Sequence, residues 1–317
     1  MHFPLGMGLT TAPHSIGINI IPMIHSRLPG KEDFGFPNAQ CDKTRCGGDM
    51  NIKAETANRA ARAGRLEGRT AIITGGANGM GRAAARMFAE EGAKVAIFDI
   101  QADAGREAVA EIEAAGGSAV FLETNVADTA AVRASVAAVA GRWGRIDTLF
   151  SHAGTIIVKP LHESTDADYN RLMDINVRSA FVVCREVVSH MLENGGGSIV
   201  ITSSIGGEKG FALESLYCMT KGAVLQLARS IAVEYRDRGI RANAVCPGFV
   251  KTAHGLREID ELDGLGQKWN VADLHAVQGR LCEPEEVAAA ALWLASDDAS
   301  FVNGQALYVD NGWYAKG

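Results

Sequence analysis

Thr70-Ala71-Ile72-Ile73-Thr74-Gly75-Gly76-Ala77-Asn78-Gly79-Met80-Gly81 decides the fold of this 317-residue chain. A short apolar run ends in spaced glycines, and an amphipathic stretch follows to Glu91, closed by Gly92. Each spaced glycine has its own mechanical task. Gly75 permits the tight turn, Gly79 lets backbone approach a pyrophosphate, and Gly81 lets the helix pack on the strand. Asn78 and Met80 lie in the same turn. Eighteen positions past Gly81, Asp99 closes a second apolar run, Lys94 to Phe98. An acidic residue there can accept both ribose hydroxyls of adenosine and repels a 2′-phosphate, which predicts NAD rather than NADP. No Arg or Lys stands at Ala77 or Ile100 to offset its charge.

The alternation continues outward from this unit. A helix runs to about Ala115, a strand covers Ala119 to Leu122, and Asp128 caps a helix reaching Trp143. Strands follow at Asp147 to Phe150, Ser198 to Thr202, Arg241 to Val245 and Ala306 to Val309. Between them the pattern predicts one long helix from Asp166 to Glu193, one carrying Tyr217 to about Arg236, and one from Pro284 to Leu294. Pro247 to about Gln278 reads as irregular. Alternating strands and helices predict an α/β, doubly wound parallel sheet (Rossmann fold) in a single domain, residues 65–317, with a substrate loop at about 249–278.

The chemistry is concentrated later, between Ser204 and Lys221. Tyr217 and Lys221 are four residues apart, so on a helix the phenol and the ammonium share one face. A fixed positive charge beside a phenol favours the phenolate, which predicts a lowered Tyr217 pKa and a proton carrier for an alcohol or ketone.

Thr-Gly-x-x-x-Gly-x-Gly followed by Tyr-x-x-x-Lys resembles the classical short-chain dehydrogenase/reductase family, and the resemblance covers Gly68 to Gly312. It implies Tyr217 as general acid/base and Lys221 as the residue that binds the nicotinamide ribose and lowers the tyrosine pKa. Ser204, 13 residues before Tyr217, would steady the reacting oxygen, and Asn176 would hold a water of the proton relay. It also implies cofactor contacts from Asn125 and Val126 beside adenine, from Ala153 and Gly154 at the ribose, and from Pro247, Val250 and Thr252 at the nicotinamide. One position departs from the family: its Asn-Asn-Ala-Gly reads Ser151-His152-Ala153-Gly154 here. Ser151 and His152 must then make the side-chain bonds that brace the central strand. Proton transfer by His152 is the alternative, since free imidazole titrates near ~6.5. The family further implies a homotetramer, built through the long helices and the C-terminal strand.

Composition narrows the partners. Hydrophobic residues make up 47%, charged residues 21%, and the net charge is −6. That balance argues against nucleic acid or an anionic membrane as the main partner. No apolar run reaches the ~18 residues of a membrane span. The six cysteines (Cys41, Cys46, Cys184, Cys218, Cys246, Cys282) form no Cys-x-x-Cys and lack partners for a metal site. They read as reduced thiols of a cytoplasmic protein. Five of the eight prolines fall in the first 37 residues, and residues 1–64 read as a poorly ordered extension. Met50 is one candidate for the true start. A small-molecule alcohol or ketone is the expected substrate, with a pocket lined by Thr155 to Pro160, Ile205 to Leu216 and Phe249 to Val277. An NADPH-preferring carbonyl or oxoacyl reductase is the rival enzyme, and a non-catalytic NAD sensor is the rival of another class.

Overall fold

Thr70–Thr74 (β1) is buried at every position, as a strand covered on both faces must be. A computed structural model of the chain describes residues 64–267 and 271–316. The expected extension, Cys41, Cys46, the Met50 start and Trp269 lie outside them, except that Gly64, placed in the extension, is described. Just after it, Leu66 is fully buried, and Arg65 pairs with Glu91 at 2.6 Å.

Six further strands join β1: Lys94–Asp99 (β2), Ser118–Glu123 (β3), Thr148–Ser151 (β4), Gly197–Thr202 (β5), Ile240–Pro247 (β6) and Ala306–Val309 (β7). All pair in parallel, in the order β3-β2-β1-β4-β5-β6-β7. The order reverses between β1 and β4. In an open parallel sheet that reversal leaves a crevice at the carboxyl ends of the strands.

Period-two alternation divides the core between the faces. Ile72, Ala96 and Phe98 point to one side, with Val132, Val183 and Leu225 from Thr129–Trp143 (α3), Ser179–Glu193 (α5) and Ser215–Tyr235 (α6). Ala71, Ile73, Val95 and Ile97 point to the other, beneath Gly79–Glu90 (α1), Ala102–Ala114 (α2) and Pro284–Ala295 (α9). Each α1 residue nearest the sheet is small or aromatic (Ala84, Ala85, Phe88), which lets the helix settle close.

Two elements differ from expectation. The stretch read as one helix from Asp166 to Glu193 is broken: Asp166–Leu172 (α4) passes through a π-helical segment, Met173–Arg178, before α5. Within it the Ser179 amide reaches back five residues to the Asp174 carbonyl, a spacing that leaves the hydrophobic pattern unchanged. The segment read as irregular contains two helices, Ala253–Gly264 (α7) and Val271–Gln278 (α8). Thr252 caps α7, its Oγ1 accepting from the Gly255 amide at 3.0 Å. Leu262 and Leu274 then bury against Phe249, giving the segment a small core of its own.

Candidate active site

The crevice at the carboxyl ends of the strands opens into a cavity of about 1060 Å³. At the switch point Thr74 ties β1 to the loop after β4. Its Oγ1 accepts from the backbone amides of His152 (2.9 Å) and Ala153 (3.0 Å). Ala153 and Gly154 thereby form cavity wall beside Gly75. A Cβ on Gly75, which sits at φ +68°, would come within 3.0 Å of the Ala153 Cα.

The glycine-rich turn fits a dinucleotide pyrophosphate on three counts. Gly79 sits at φ +53°, a region that costs other residues steric strain. The first turn of α1 carries no acidic residue, and its N-cap, Asn78, makes no side-chain cap bond. The amides and the positive end of a twelve-residue helix therefore face the cavity. Asn78 instead donates to Gln101 at 3.2 Å. Gly79 and Met80 border the cavity; Gly81 does not. A Cβ on Gly81 would lie 2.0 Å from the Gly75 carbonyl oxygen, so Gly81 serves the approach of helix to turn.

Asp99 ends β2 and is nearly buried at 9% exposure. One carboxylate oxygen accepts from the Ala77 amide (3.1 Å) and the other from the Gln101 amide (3.0 Å). Each oxygen retains a lone pair on the cavity side. Asn125 and Val126, after β3, close the same end, and Pro247, Val250 and Thr252 form the wall beyond β6.

Ser204, Tyr217 and Lys221 meet on the opposite wall. The Ser204 side chain hydrogen-bonds the Tyr217 phenol and also accepts from the Gly206 amide at 3.1 Å. Lys221 is buried, donates to the Thr202 carbonyl at 3.0 Å and stands 5.5 Å from the centre of the Tyr217 ring. Burial pushes its ammonium down to about 8.

The expected lowering of the Tyr217 pKa is not what this arrangement produces. Burial, then the negative charge of Glu258, holds the phenol well above its ordinary value, and the Ser204 hydrogen bond only partly opposes them. Lys221 flanks the ring and donates to the Thr202 carbonyl, and its charge is outweighed by the burial of the phenol.

Asn176 also differs from expectation: its side chain does not border the cavity. Oδ1 accepts from the Thr155 amide (2.8 Å), and Nδ2 donates to the Thr155 carbonyl (2.8 Å) and the Thr220 hydroxyl (3.0 Å). The amide's donors are fully used, and the residue braces the loop after β4 against α6 from within the π-helical segment.

His152 is half-buried, stacked on Phe150 at 5.2 Å, with Nδ1 at 3.1 Å from the Thr202 hydroxyl. Burial, reinforced by the charges of Lys221 and His254, pushes its pKa down to about 3. A group that stays neutral across the physiological range joins neighbouring strands and carries no proton. The sign follows for stability: unfolded imidazole binds a proton below its ordinary 6.5, whereas the folded one resists until about 3. Stability contributed by the neutral ring is therefore present above pH 6.5 and is lost as the pH falls through that window. His152→Asn should show a shallower fall of Tm than the parent protein between pH 6.5 and 4, measured by thermal melts in buffers of matched ionic strength.

Of the side chains expected to line the substrate side, Phe211, Glu214 and His254 do so, but Ile156, Ile157, Leu213, Glu208 and Lys209 do not. Glu208 is taken up by Tyr308, Tyr314 and Arg229, and Lys209 lies over the Tyr314 ring at 4.8 Å. Trp313, which stacks on Phe249, was not anticipated; Arg257 and Glu258 of α7 lie within the expected segment but were not singled out in it. The spacing of His254, Arg257 and Glu258 (i, i+3, i+4) was the available signal, hidden once the segment was read as irregular.

Among the described residues no helix is long and apolar enough to cross a membrane, and no cluster suits a metal ion. A family model described as Enoyl-(Acyl carrier protein) reductase matches residues 75–314. A 2,5-dichloro-2,5-cyclohexadiene-1,4-diol dehydrogenase, LinX, of Sphingobium indicum is 37% identical, over 79% of this chain and 98% of its own length. The crystal structure of levodione reductase superimposes with a TM-score of 0.76 at 34% identity, covering 80% of this chain and all of that one. A protein from Beutenbergia cavernae, described as an NAD(P)-dependent gluconate 5-dehydrogenase and solved with NADP at low occupancy, gives a TM-score of 0.72 at 35% identity, over 79% and 98%. With the glycine-rich turn at the switch point and the serine, tyrosine and lysine facing it, these matches place the chain in the short-chain dehydrogenase/reductase family, as an NAD(P)-dependent alcohol–ketone oxidoreductase.

Proposed function

We propose that this protein interconverts a secondary alcohol and a ketone with NAD as its dinucleotide, and that Tyr217 carries the substrate proton. The observation behind this reading is the position of Ser204, Tyr217 and Lys221 on one wall of a single cavity, with the glycine turn and Asp99 forming another part of it. A nicotinamide dinucleotide, when bound, supplies hydride acceptance or donation. The chain's part is to bind, orient and move one proton. Gly75, Asn78, Gly79 and Met80 hold the pyrophosphate, Gly81 allows their close approach, and Asp99 takes the ribose hydroxyls. Asn125 and Val126 flank adenine, Ala153 and Gly154 back the second ribose, and Pro247, Val250 and Thr252 flank the nicotinamide. Ser204 donates to the reacting oxygen. Asn176 is a positioning residue, fixing Thr155 and with it the Gly154 backbone. A phenol held in its protonated form is poised as the acid for ketone reduction, and alcohol oxidation then gains as the pH rises.

NAD is favoured by Asp99, followed by Ile100 and Gln101 with no cation at either position. The NADP in a structural relative supports the rival coenzyme. We further propose a homotetramer, supported by exposed Phe181 on α5 and Val233 on α6 and by Phe301 beside the edge strand β7. A reducing compartment such as the cytoplasm suits the four described cysteines, all free. Assaying NAD and NADP reduction against a panel of secondary alcohols tests the function. NAD reduction on at least one alcohol is expected; dinucleotide binding without turnover on any member would favour the sensor instead.

A further inference from the structure

Three aromatic rings meet in the cavity, each carried by the segment that leaves a different strand. Phe211 lies on the loop after β5, Phe249 just past the end of β6, and Trp313 in the C-terminal segment after β7. These strands are neighbours in the sheet, so their carboxyl ends bring the three segments side by side. Phe249 stacks on Trp313 with ring centres 5.6 Å apart and planes inclined by 21°, and Phe211 meets Trp313 edge-on at 5.5 Å. The wall reaches the reacting groups. A Cβ on Gly206 would lie 3.5 Å from the Ser204 Oγ and 3.6 Å from the Phe211 ring, so hydroxyl and ring adjoin one point.

Each ring is held in place by bonds made outside the cavity. Gln278, at the end of α8 and 2% exposed, grips the Phe249 backbone twice: Oε1 accepts from its amide (2.9 Å) and Nε2 donates to its carbonyl (2.8 Å). The Gln278 carbonyl also accepts from the Asn311 side chain at 2.8 Å, which ties the Trp313 segment to the same residue. The adjacent Tyr314 stacks on Tyr308 at 4.0 Å and donates to Glu208 at 2.8 Å, joining that segment to the loop that carries Phe211. In that loop Leu213 sits at φ +66°, a region that strains a leucine, with its carbonyl accepting from the Lys159 amide at 2.7 Å. Strain kept beside a cavity wall means that the surrounding contacts determine the wall's shape.

We propose that Phe211, Phe249 and Trp313 are the specificity-determining wall of the substrate site, and that this wall selects cyclic secondary alcohols and ketones, whose ring lies against it while the carbinol faces Tyr217. The inference rests on the alcohol–ketone reading and adds the substrate class to it. A ring offers a broad C–H face in one conformation and covers aromatic carbon without freezing rotatable bonds. An open chain of equal carbon number must give up that freedom to cover the same area. A chain bearing hydroxyls along its length would also press polar groups against carbon.

The test compares kcat/KM for cyclic and open-chain secondary alcohols of equal carbon number, cyclohexanol against 3-hexanol and 1,2-cyclohexanediol against 3,4-hexanediol, using NAD and the full-length protein. The parent enzyme should favour the ring by about ten-fold or more in each pair. Trp313→Ala, which opens the wall, should reduce that ratio about ten-fold, and Phe211→Leu, which keeps an apolar side chain but no aromatic face, about five-fold. Trp313→Phe should hold it within about three-fold of the parent. A residue that only packs the C-terminal segment would lower both alcohols of a pair alike and leave the ratio unmoved. If Trp313→Ala does not fold, Phe211→Leu decides. Equal or better turnover of the open chains by the parent overturns the proposal and leaves the alcohol–ketone reading standing. So does a ring preference that survives in either folded variant, or one lost as fully in Trp313→Phe as in Trp313→Ala. Absence of turnover on every alcohol overturns the underlying reading and this inference with it.

Discussion

Tyr217→Phe lowers kcat by about 10²–10⁴-fold, the range over which a positioned acid or base contributes, while NAD affinity changes little. The substitution removes one oxygen. The ring keeps its place beside Lys221, and neither the glycine turn nor Asp99 touches it. Stability should change little, because the neutral phenol gives up one hydrogen-bond partner, Ser204, and no charge. Activity and binding therefore separate, and stopped-flow turnover beside a fluorescence titration of NAD measures both. A variant that kept kcat within ten-fold of the parent would leave the substrate proton with another group. His152 is a poor candidate for it, being held neutral with its pKa near 3. Ser204→Ala is the companion measurement: it leaves the phenol in place but removes its hydrogen-bond partner, so its loss should be smaller than that of Tyr217→Phe.

How much of this could be read from the sequence depends on the separation over which each feature is encoded. The turn from Thr70 to Gly81 and the strand ending at Asp99 were legible because their meaning is local. An apolar run, a glycine and a helix start fall within a dozen residues, and parallel pairing of the strands then follows from the alternation of elements. The spacing of Tyr217 and Lys221 was legible for the same reason. The π-helical segment was not, since a backbone bond of five residues rather than four leaves no mark on side-chain periodicity. Nor was the fate of Asn176, whose donors are used by Thr155 and Thr220, residues 21 and 44 positions away. Helix α7 escaped notice because its apolar face is thin: Leu262 is its buried leucine, while Leu256 remains exposed. The place of Arg257 and Glu258 in the cavity wall could be found only once that helix was in place. The mistaken direction for Tyr217 has a different origin. Spacing showed that a lysine was near the tyrosine, but not that the phenol would be buried deeply enough to outweigh its charge.

Asp99→Asn shifts coenzyme preference from NAD toward NADP by about 10²–10³-fold in the ratio of kcat/KM. Two unit charges about 4–5 Å apart at an effective dielectric near 20 repel by roughly 3–4 kcal/mol, and a 2′-phosphate at the ribose would face the carboxylate at about such a distance. Charge is not the only thing Asp99 supplies, which is why asparagine is the informative substitution. The carboxylate also accepts from the Ala77 amide, inside the glycine turn, and from the Gln101 amide. Alanine would leave both donors unpaired in a nearly buried position, at about 1–3 kcal/mol each, and would loosen the pyrophosphate turn together with the ribose site. Asparagine keeps one accepting oxygen and removes the charge. If the discrimination is electrostatic, Asp99→Asn should lower KM for NADP more than it raises KM for NAD, with a small change in Tm; Asp99→Ala should weaken both coenzymes and lower Tm further. Adding Ile100→Arg to the asparagine variant places a cation beside the site, and that pair should prefer NADP outright, since residue 100 is 64% exposed and free to reach a phosphate. A ratio that does not move in Asp99→Asn would mean that the turn, rather than the carboxylate, selects the coenzyme, and the assignment of NAD would lose its basis.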